Sequence, residues 1–357
     1  MKRLRGRATD APTPLSDARF DAARALHRAL GVVDLHVDCI LQASLFGYDI
    51  EAAHRPGRYG QPRFNHVDVP RMVEAGYSGA YFGVHYFPWQ SERGWRSAMK
   101  QLSRIDALCE RDDRLYRVRR ASDWDKAREA GCIGIAAGFE GAHLLNERLD
   151  RVQWLAENGV SYLTLAHFSK NAAATPSMGI GADEESGLTD FGIAVVEELQ
   201  VNGVCVDTAH LNMPCVHHAC RISRAPMFCT HTGAKGVHDV ARCIDDIAIK
   251  AIADTGGVIG IIFSPHFLTG QAAAGTEAII AHAQYIKELV GAQHVALGSD
   301  YDGWLPAIPS DHRDCRDILR VTAALLEAGF TETETRGVLR ENALRAHQGC
   351  EAAASTG

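Results

Sequence analysis

Along this chain, short apolar runs alternate with longer stretches in which apolar residues recur at helical spacing. Eight runs of about five to eight residues, rich in Val, Ile, Tyr and Phe, read as strands: Val32–Asp38, Gly79–Phe87, Ile133–Glu140, Val160–His167, Val204–His210, Met227–His231, Val258–Phe263 and Val295–Asp300. Most follow a helix-stopping Gly, Asn or Pro, as at Ala130-Gly131, Asn158-Gly159, Asn202-Gly203, Ala225-Pro226 and Gly256-Gly257. The amphipathic stretches between them predict helices over Val67–Ala75, Trp95–Cys109, Ser122–Ala130, Leu149–Asn158, Asp190–Val201, Pro214–Ile222, Asp245–Thr255 and Thr276–Val290. A helix over Asp17–Leu30, with Ser16 placed to cap it, leads into the first strand, and two extra helices, Asp314–Ala328 and Glu332–Ala346, follow the last.

Strand and helix in strict alternation imply parallel pairing, and eight such units close into an α/β barrel of the TIM type, (β/α)8. The expected organisation is a basic leader over residues 1–16, mobile in this reading, a single barrel domain over 17–350, and a flexible tail over 351–357. The polar, glycine-containing segments Leu45–Asn65 and Ser169–Gly187 read as loops over one end of the barrel.

Composition narrows the partners. The chain has 357 residues, of which 46% are hydrophobic and 23% charged, enough to bury a large core. A net charge of -7 leaves no basic stripe for nucleic acid and no polybasic membrane anchor, so small molecules are the expected ligands. Ten scattered cysteines with no C-x-x-C pair suit free buried thiols, and neither a signal-peptide core nor a spanning apolar run is evident. A cytoplasmic location is the expectation.

The chemistry collects at the carboxyl ends of the strands. His36 and Asp38 end the first, Glu140 the third, His167 the fourth, His210 the fifth, His231 the sixth and Asp300 the eighth. In a barrel of this type those ends share one mouth. Each residue alone has a plainer reading: Asp38 could cap the following segment and His36 sit satisfied in the core. Together, four imidazoles and three carboxylates need cations, and more donors are present than one open zinc site uses. A carboxylate such as Glu140 can bridge two ions, which makes a two-metal hydrolytic centre the expected chemistry. No G-x-S-x-G elbow or nucleotide phosphate loop competes with it.

The series Asp34-Leu35-His36-Val37-Asp38, Gly138-Phe139-Glu140-Gly141, Leu163-Thr164-Leu165-Ala166-His167, Asp207-Thr208-Ala209-His210, Thr230-His231-Thr232 and Gly298-Ser299-Asp300-Tyr301-Asp302-Gly303 resembles the membrane dipeptidase (renal dipeptidase) family of the amidohydrolase superfamily, in the family's order from about residue 30 to 347. The resemblance implies one zinc on His36, Asp38 and Glu140, a second on Glu140, His210 and His231, and a hydroxide between them. It further implies that His167 polarises the substrate carbonyl, that Asp300 passes the proton to the leaving amine, and that Arg242 grips the substrate's α-carboxylate. A further metal ligand remains the alternative for Asp300, and an ordinary helix-start arginine for Arg242. The resemblance also implies a homodimer and, as substrate, a dipeptide with a C-terminal D-residue or glycine.

Departures from the family pattern are Cys243 after Arg242, Ile262 in the seventh strand and His266 in Ser264-Pro265-His266-Phe267, which together read as an altered rim, and Glu341-Asn342-Ala343-Leu344 in the late helix. They leave open an amidohydrolase acting on an N-acyl amino acid, lactam or lactone. A barrel that binds a ligand without catalysis is the remaining alternative class. The C-terminus carries no apolar anchor, and Ser169 and His238 stand near the places where vertebrate relatives would have cysteines.

Overall fold

The structure, a computed structural model, describes residues 15–55, 64–86 and 90–355. The expected leader lies outside these residues except for Leu15 and Ser16, as do part of the first loop and Phe87 of the second expected strand.

Nine parallel strands form one sheet: β1 (Val32–Val37), β2 (Tyr77–Val84), β3 (Leu115–Arg117), β4 (Ile133–Glu140), β5 (Val160–Thr164), β6 (Cys205–Asp207), β7 (Phe228–Thr232), β8 (Val258–Ile261) and β9 (Val295–Leu297). Eight of them follow one another around the barrel in the order β1-β2-β4-β5-β6-β7-β8-β9. The circle closes where Asp300 N–H donates to the His36 carbonyl at 3.0 Å and Asp38 N–H to the Tyr301 carbonyl at 2.9 Å. The buried Asp34 carboxylate braces the seam, accepting from Ser299 N–H at 2.8 Å and from His36 N–H at 3.2 Å.

One strand escaped the pattern. β3 pairs with Ile133–Ile135 at the start of β4, a row that β5, which begins its pairing at Ala137, leaves uncovered. Three residues are too short to show alternation. Several expected strands also end two or three residues early: His167, His210 and Asp300 lie three residues beyond β5, β6 and β9. His210 and Asp300 there adopt left-handed φ values of 66° and 57°, which ends ladder pairing and turns the chain over the mouth.

Helices cover the outside. Ser16 caps Asp17–Leu30 as expected, accepting from Arg19 N–H. The start of the first expected loop is instead helical, Cys39–Phe46, a segment too uniformly apolar to show a helical stripe. A short helix, Pro265–Thr269, also falls in the segment that contains His266. The last expected helix breaks at a π-turn over Gly337–Glu341 and resumes as Asn342–Ala354. The expected tail is therefore helical through Ala354, because this helix plugs the amino end of the barrel: Ala343, Leu344, Ala346 and Cys350 pack with the inward-facing Val33, Leu35, Tyr81, Tyr162 and Phe228. All ten cysteines are unpaired, and no described helix is long and apolar enough to cross a membrane.

Two buried histidines away from the mouth are held neutral by their partners. His282 Nδ1 accepts from Ala234 N–H and its Nε2 donates to the Leu268 carbonyl, both at 2.8 Å. His347 Nδ1 accepts from Trp124 Nε1–H at 3.1 Å and lies 3.0 Å from the Tyr81 hydroxyl. Burial lowers both rings to about 4. The unfolded chain takes up these protons near pH 6.5 and the folded chain does not, so the stability they contribute is complete above that pH and lost as pH falls toward 4. Denaturant titrations at pH 7 and pH 4.5 will show a fall in midpoint for the native chain and a smaller fall for the variant His282→Gln/His347→Gln.

Candidate metal centre

The inward positions of adjacent strands converge on Glu140, the last residue of β4. Its buried carboxylate is faced by five imidazoles: His210 Nε2 at 3.0 Å, His85 Nδ1 at 3.2 Å, His231 Nε2 and His167 Nε2 at 3.5 Å each, and His36 Nε2 at 3.7 Å. Asp38 Oδ1 lies 3.3 Å from His36 Nε2, and Asp300 Oδ1 lies 4.0 Å from the same nitrogen. His210 Nε2 and His231 Nε2 face each other at 2.9 Å. Thus six of the expected residues, from the ends of five strands, do meet, with Asp300 at their edge.

Local structure explains the aim of each side chain. Asp38 occupies the position before helix Cys39–Phe46 but makes no capping hydrogen bond, which disposes of the plainer reading of that residue. Tyr81, Gly83 and His85 are inward positions of β2 and its extension, and a methyl on Gly83 would collide with Asp38 Oδ1, so only glycine lets the backbone pass there. At Gly138 of β4 the same is true of the Tyr162 ring, whose hydroxyl lies 2.6 Å from His36 Nδ1. For His231, Thr230 Oγ1 donates to Asp207 Oδ2 at 2.8 Å and accepts from His231 Nδ1 at 2.8 Å. That chain directs the Nε2 lone pair of His231 into the cluster.

The electrostatics are those of a cation site. Burial opposes ionisation of Glu140, but the imidazoles of His167 and His36 hold its carboxyl well below the usual range. Burial likewise opposes charge on His36, yet Asp38 and Glu140 raise it to about 10. Burial, reinforced by Arg242, lowers His210 to about 4, and burial with the charge of His36 lowers His231 well below its ordinary value. Burial pushes Asp300 well above the usual carboxylate range. A proton satisfies His36 only by default; a divalent ion would satisfy all the carboxylates at once.

The donors fit such ions. His36 Nε2, Asp38 Oδ1 and Glu140 Oε2 are buried without a hydrogen-bond partner. Ligand atoms of His36, Asp38 and Glu140 lie within 4.8 Å of one another, as do those of Glu140, His167 and His210 and those of His36, His231 and Asp300. Tetrahedral zinc with bonds of about 2.0–2.2 Å leaves its ligands roughly 3.3–3.5 Å apart, close to the spacings observed.

Arg242 is buried beside the cluster, with Nη2 at 3.3 Å from His210 Nε2, and His210 lines the cavity. One expectation about the rim changes: His266 is exposed, packs edge-on to Phe267, and is absent from the cavity wall. Cys243 and Ile262 are buried in the shell. Sequence reading missed His85, whose placement two residues beyond Gly83 on the inward face of β2 was the available signal. It also missed Tyr162 and Thr230, which hold the rings of His36 and His231 from behind and offer no atom to the centre themselves.

A parallel barrel with imidazoles and carboxylates gathered at its carboxyl mouth is the architecture of a barrel metallohydrolase. The sequence profile of the membrane dipeptidase family (peptidase family M19) matches residues 20–356, and the chain belongs to that family. Dipeptidase 3 of Mus musculus is 29% identical over 338 residues, 92% of this chain and 66% of the mouse protein, so the chain spans slightly less than two thirds of that relative. The fold is shared with the probable dipeptidase PvdM from Pseudomonas aeruginosa, at TM-score 0.84 and 18% identity over 94% of this chain and 99% of the other. It is shared too with a metallopeptidase from Rhodobacter sphaeroides liganded with a phosphinate mimic of L-Ala-D-Ala, at TM-score 0.79 and 23% identity over 89% and 99% of the two chains.

His85 faces the oxygens that Asp38 and Glu140 turn away from His36: Asp38 Oδ2 at 3.5 Å and Glu140 Oε2 at 3.2 Å. At these distances, without hydrogen-bond geometry, the ring steadies both carboxylates by contact and charge. Replacing His85→Leu will lower zinc affinity about 10- to 100-fold, measured by chelator competition, and His85→Gln, which keeps a donor, will lose less.

Proposed function

We propose that the chain is a metal-dependent dipeptidase, with two divalent cations, zinc by the chemistry of the donors, held by His36, Asp38 and Glu140 on one side and by Glu140, His210 and His231 on the other. The observation that carries this reading is the gathering of His36, His210 and His231 around the Glu140 carboxylate, with Asp38 against His36, in a chain that belongs to the membrane dipeptidase family. When bound, the cations supply a water of near-neutral pKa and Lewis-acid polarisation of the amide.

The chain's own residues do the rest. His167, 3.5 Å from Glu140 and lining the cavity, is placed to donate a hydrogen bond to the substrate's carbonyl oxygen as negative charge develops there. Asp300 also lines the cavity, with Oδ1 4.0 Å from His36 Nε2 at the edge of the cluster, where its carboxylate is placed to take a proton from the nucleophile and release it to the departing nitrogen. Arg242 contributes a fixed positive charge beside His210, to which we assign the substrate's α-carboxylate. A cavity of about 350 Å³ matches a ligand the size of a dipeptide.

Incubating purified, zinc-loaded protein with L-L and L-D dipeptides tests the reading, and no metal-dependent cleavage across both sets overturns it. Cleavage of an N-acyl amino acid in preference to the dipeptide with the same C-terminal residue would move the assignment to the wider amidohydrolase class. The variant His210→Ala will lose one equivalent of metal, read by elemental analysis, together with nearly all turnover. For Arg242→Lys, the loss of a planar fork will raise KM about 10- to 100-fold with a smaller change in kcat, read from initial rates.

A further inference from the structure

The cavity is polar only at its floor. Apart from the cluster residues and Gly303, it is lined by Leu41, Leu45, Tyr86, Phe168 and Trp304. This wall continues out of the mouth. Phe46, beside Leu45, is 60% exposed, and Phe64 and Trp304 are each 43% exposed. Their three rings stand together, with centroids 5.9 Å apart for Phe46 and Trp304 and 6.0 Å for each ring with Phe64. They are the only aromatic residues among the large hydrophobic side chains that the described residues leave exposed. Leaving such a cluster in water is unfavourable, and a patch of this kind marks a surface that receives something apolar.

Resting on the hydrolytic reading above, we propose that this ledge is a substrate subsite, selecting dipeptides whose N-terminal residue carries a large aliphatic or aromatic side chain. Its continuity with the catalytic cavity argues for substrate rather than another protein as the occupant: Trp304 and Leu45 belong both to the cavity wall and to the exposed patch. Trp304 follows Asp300 by four residues, and both have left-handed φ, 61° and 57°, so one turn carries the proton-handling carboxylate and the outer ring together. A side chain lying along Leu41, Leu45 and Tyr86 would reach those rings without meeting a charged group outside the cluster.

The test measures kcat/KM for Gly-, Ala-, Leu- and Phe-D-Ala with the zinc-loaded enzyme and with the variants Trp304→Ser and Phe46→Ser/Phe64→Ser. The Phe/Gly ratio is expected to be at least about 10, and to fall about 5-fold or more in each variant. A ratio near one, or one unchanged in both variants, overturns the proposal while leaving dipeptide hydrolysis intact. Calorimetric titration with reduced-amide analogues of Phe-D-Ala and Gly-D-Ala reads the same preference without turnover. Tighter binding of the apolar analogue, lost in Trp304→Ser, supports the subsite even if no dipeptide is cleaved, and equal binding rejects it. Sedimentation of Phe46→Ser/Phe64→Ser that shows dissociation of an oligomer, with the Phe/Gly ratio unchanged, would assign the patch to a subunit contact and also overturn it.

Discussion

Glu140 is the constraint around which this barrel is arranged. A buried carboxylate with five imidazoles within 3.7 Å is untenable in an apolar interior unless charge is balanced at the same point. The balance comes from a donor set contributed by β1, β2, β4, β7 and the turns after β5 and β6, so no single element can form the centre. Each strand must therefore arrive in register, and the seam between His36 and Asp300 secures the circle on which that register depends.

The packing beneath the centre serves the same end. Gly83 and Gly138 bring backbone where a side chain would collide, one beside Asp38 and the other beside Tyr162. Tyr162 in turn reaches His36, while the Asp207–Thr230–His231 chain sets the second imidazole. Below them the helix Asn342–Ala354 fills the amino end with apolar side chains, leaving the polar groups to one end only. Burial at this floor shifts His210 downward, whereas the neighbouring carboxylates of Asp38 and Glu140 overcome it at His36 and shift that ring upward within the same cluster.

Polarity is divided along the cavity axis in the same way. Donors and carboxylates occupy the floor, and aliphatic and aromatic side chains form the wall and the rim. Cys243 and Ile262, both departures from the family pattern, lie in the buried shell and belong to neither the floor nor the wall.

The alternation of apolar runs with amphipathic stretches determined eight strands, their parallel sense and the barrel, because period and connection length are local properties of a chain. Recurrence of His, Asp and Glu at strand ends likewise marked His36, Asp38, Glu140, His167, His210, His231 and Asp300 in advance. Tertiary structure alone decided the rest. Three-residue β3 exists because β5 starts late, the expected tail is helical because the barrel's amino end needed a plug, and His85 matters only because β2 lies beside both β1 and β4. The contact of Arg242 with His210 arises in the same way. Distances between elements remote in sequence are set by how whole strands pack, and no local pattern encodes them.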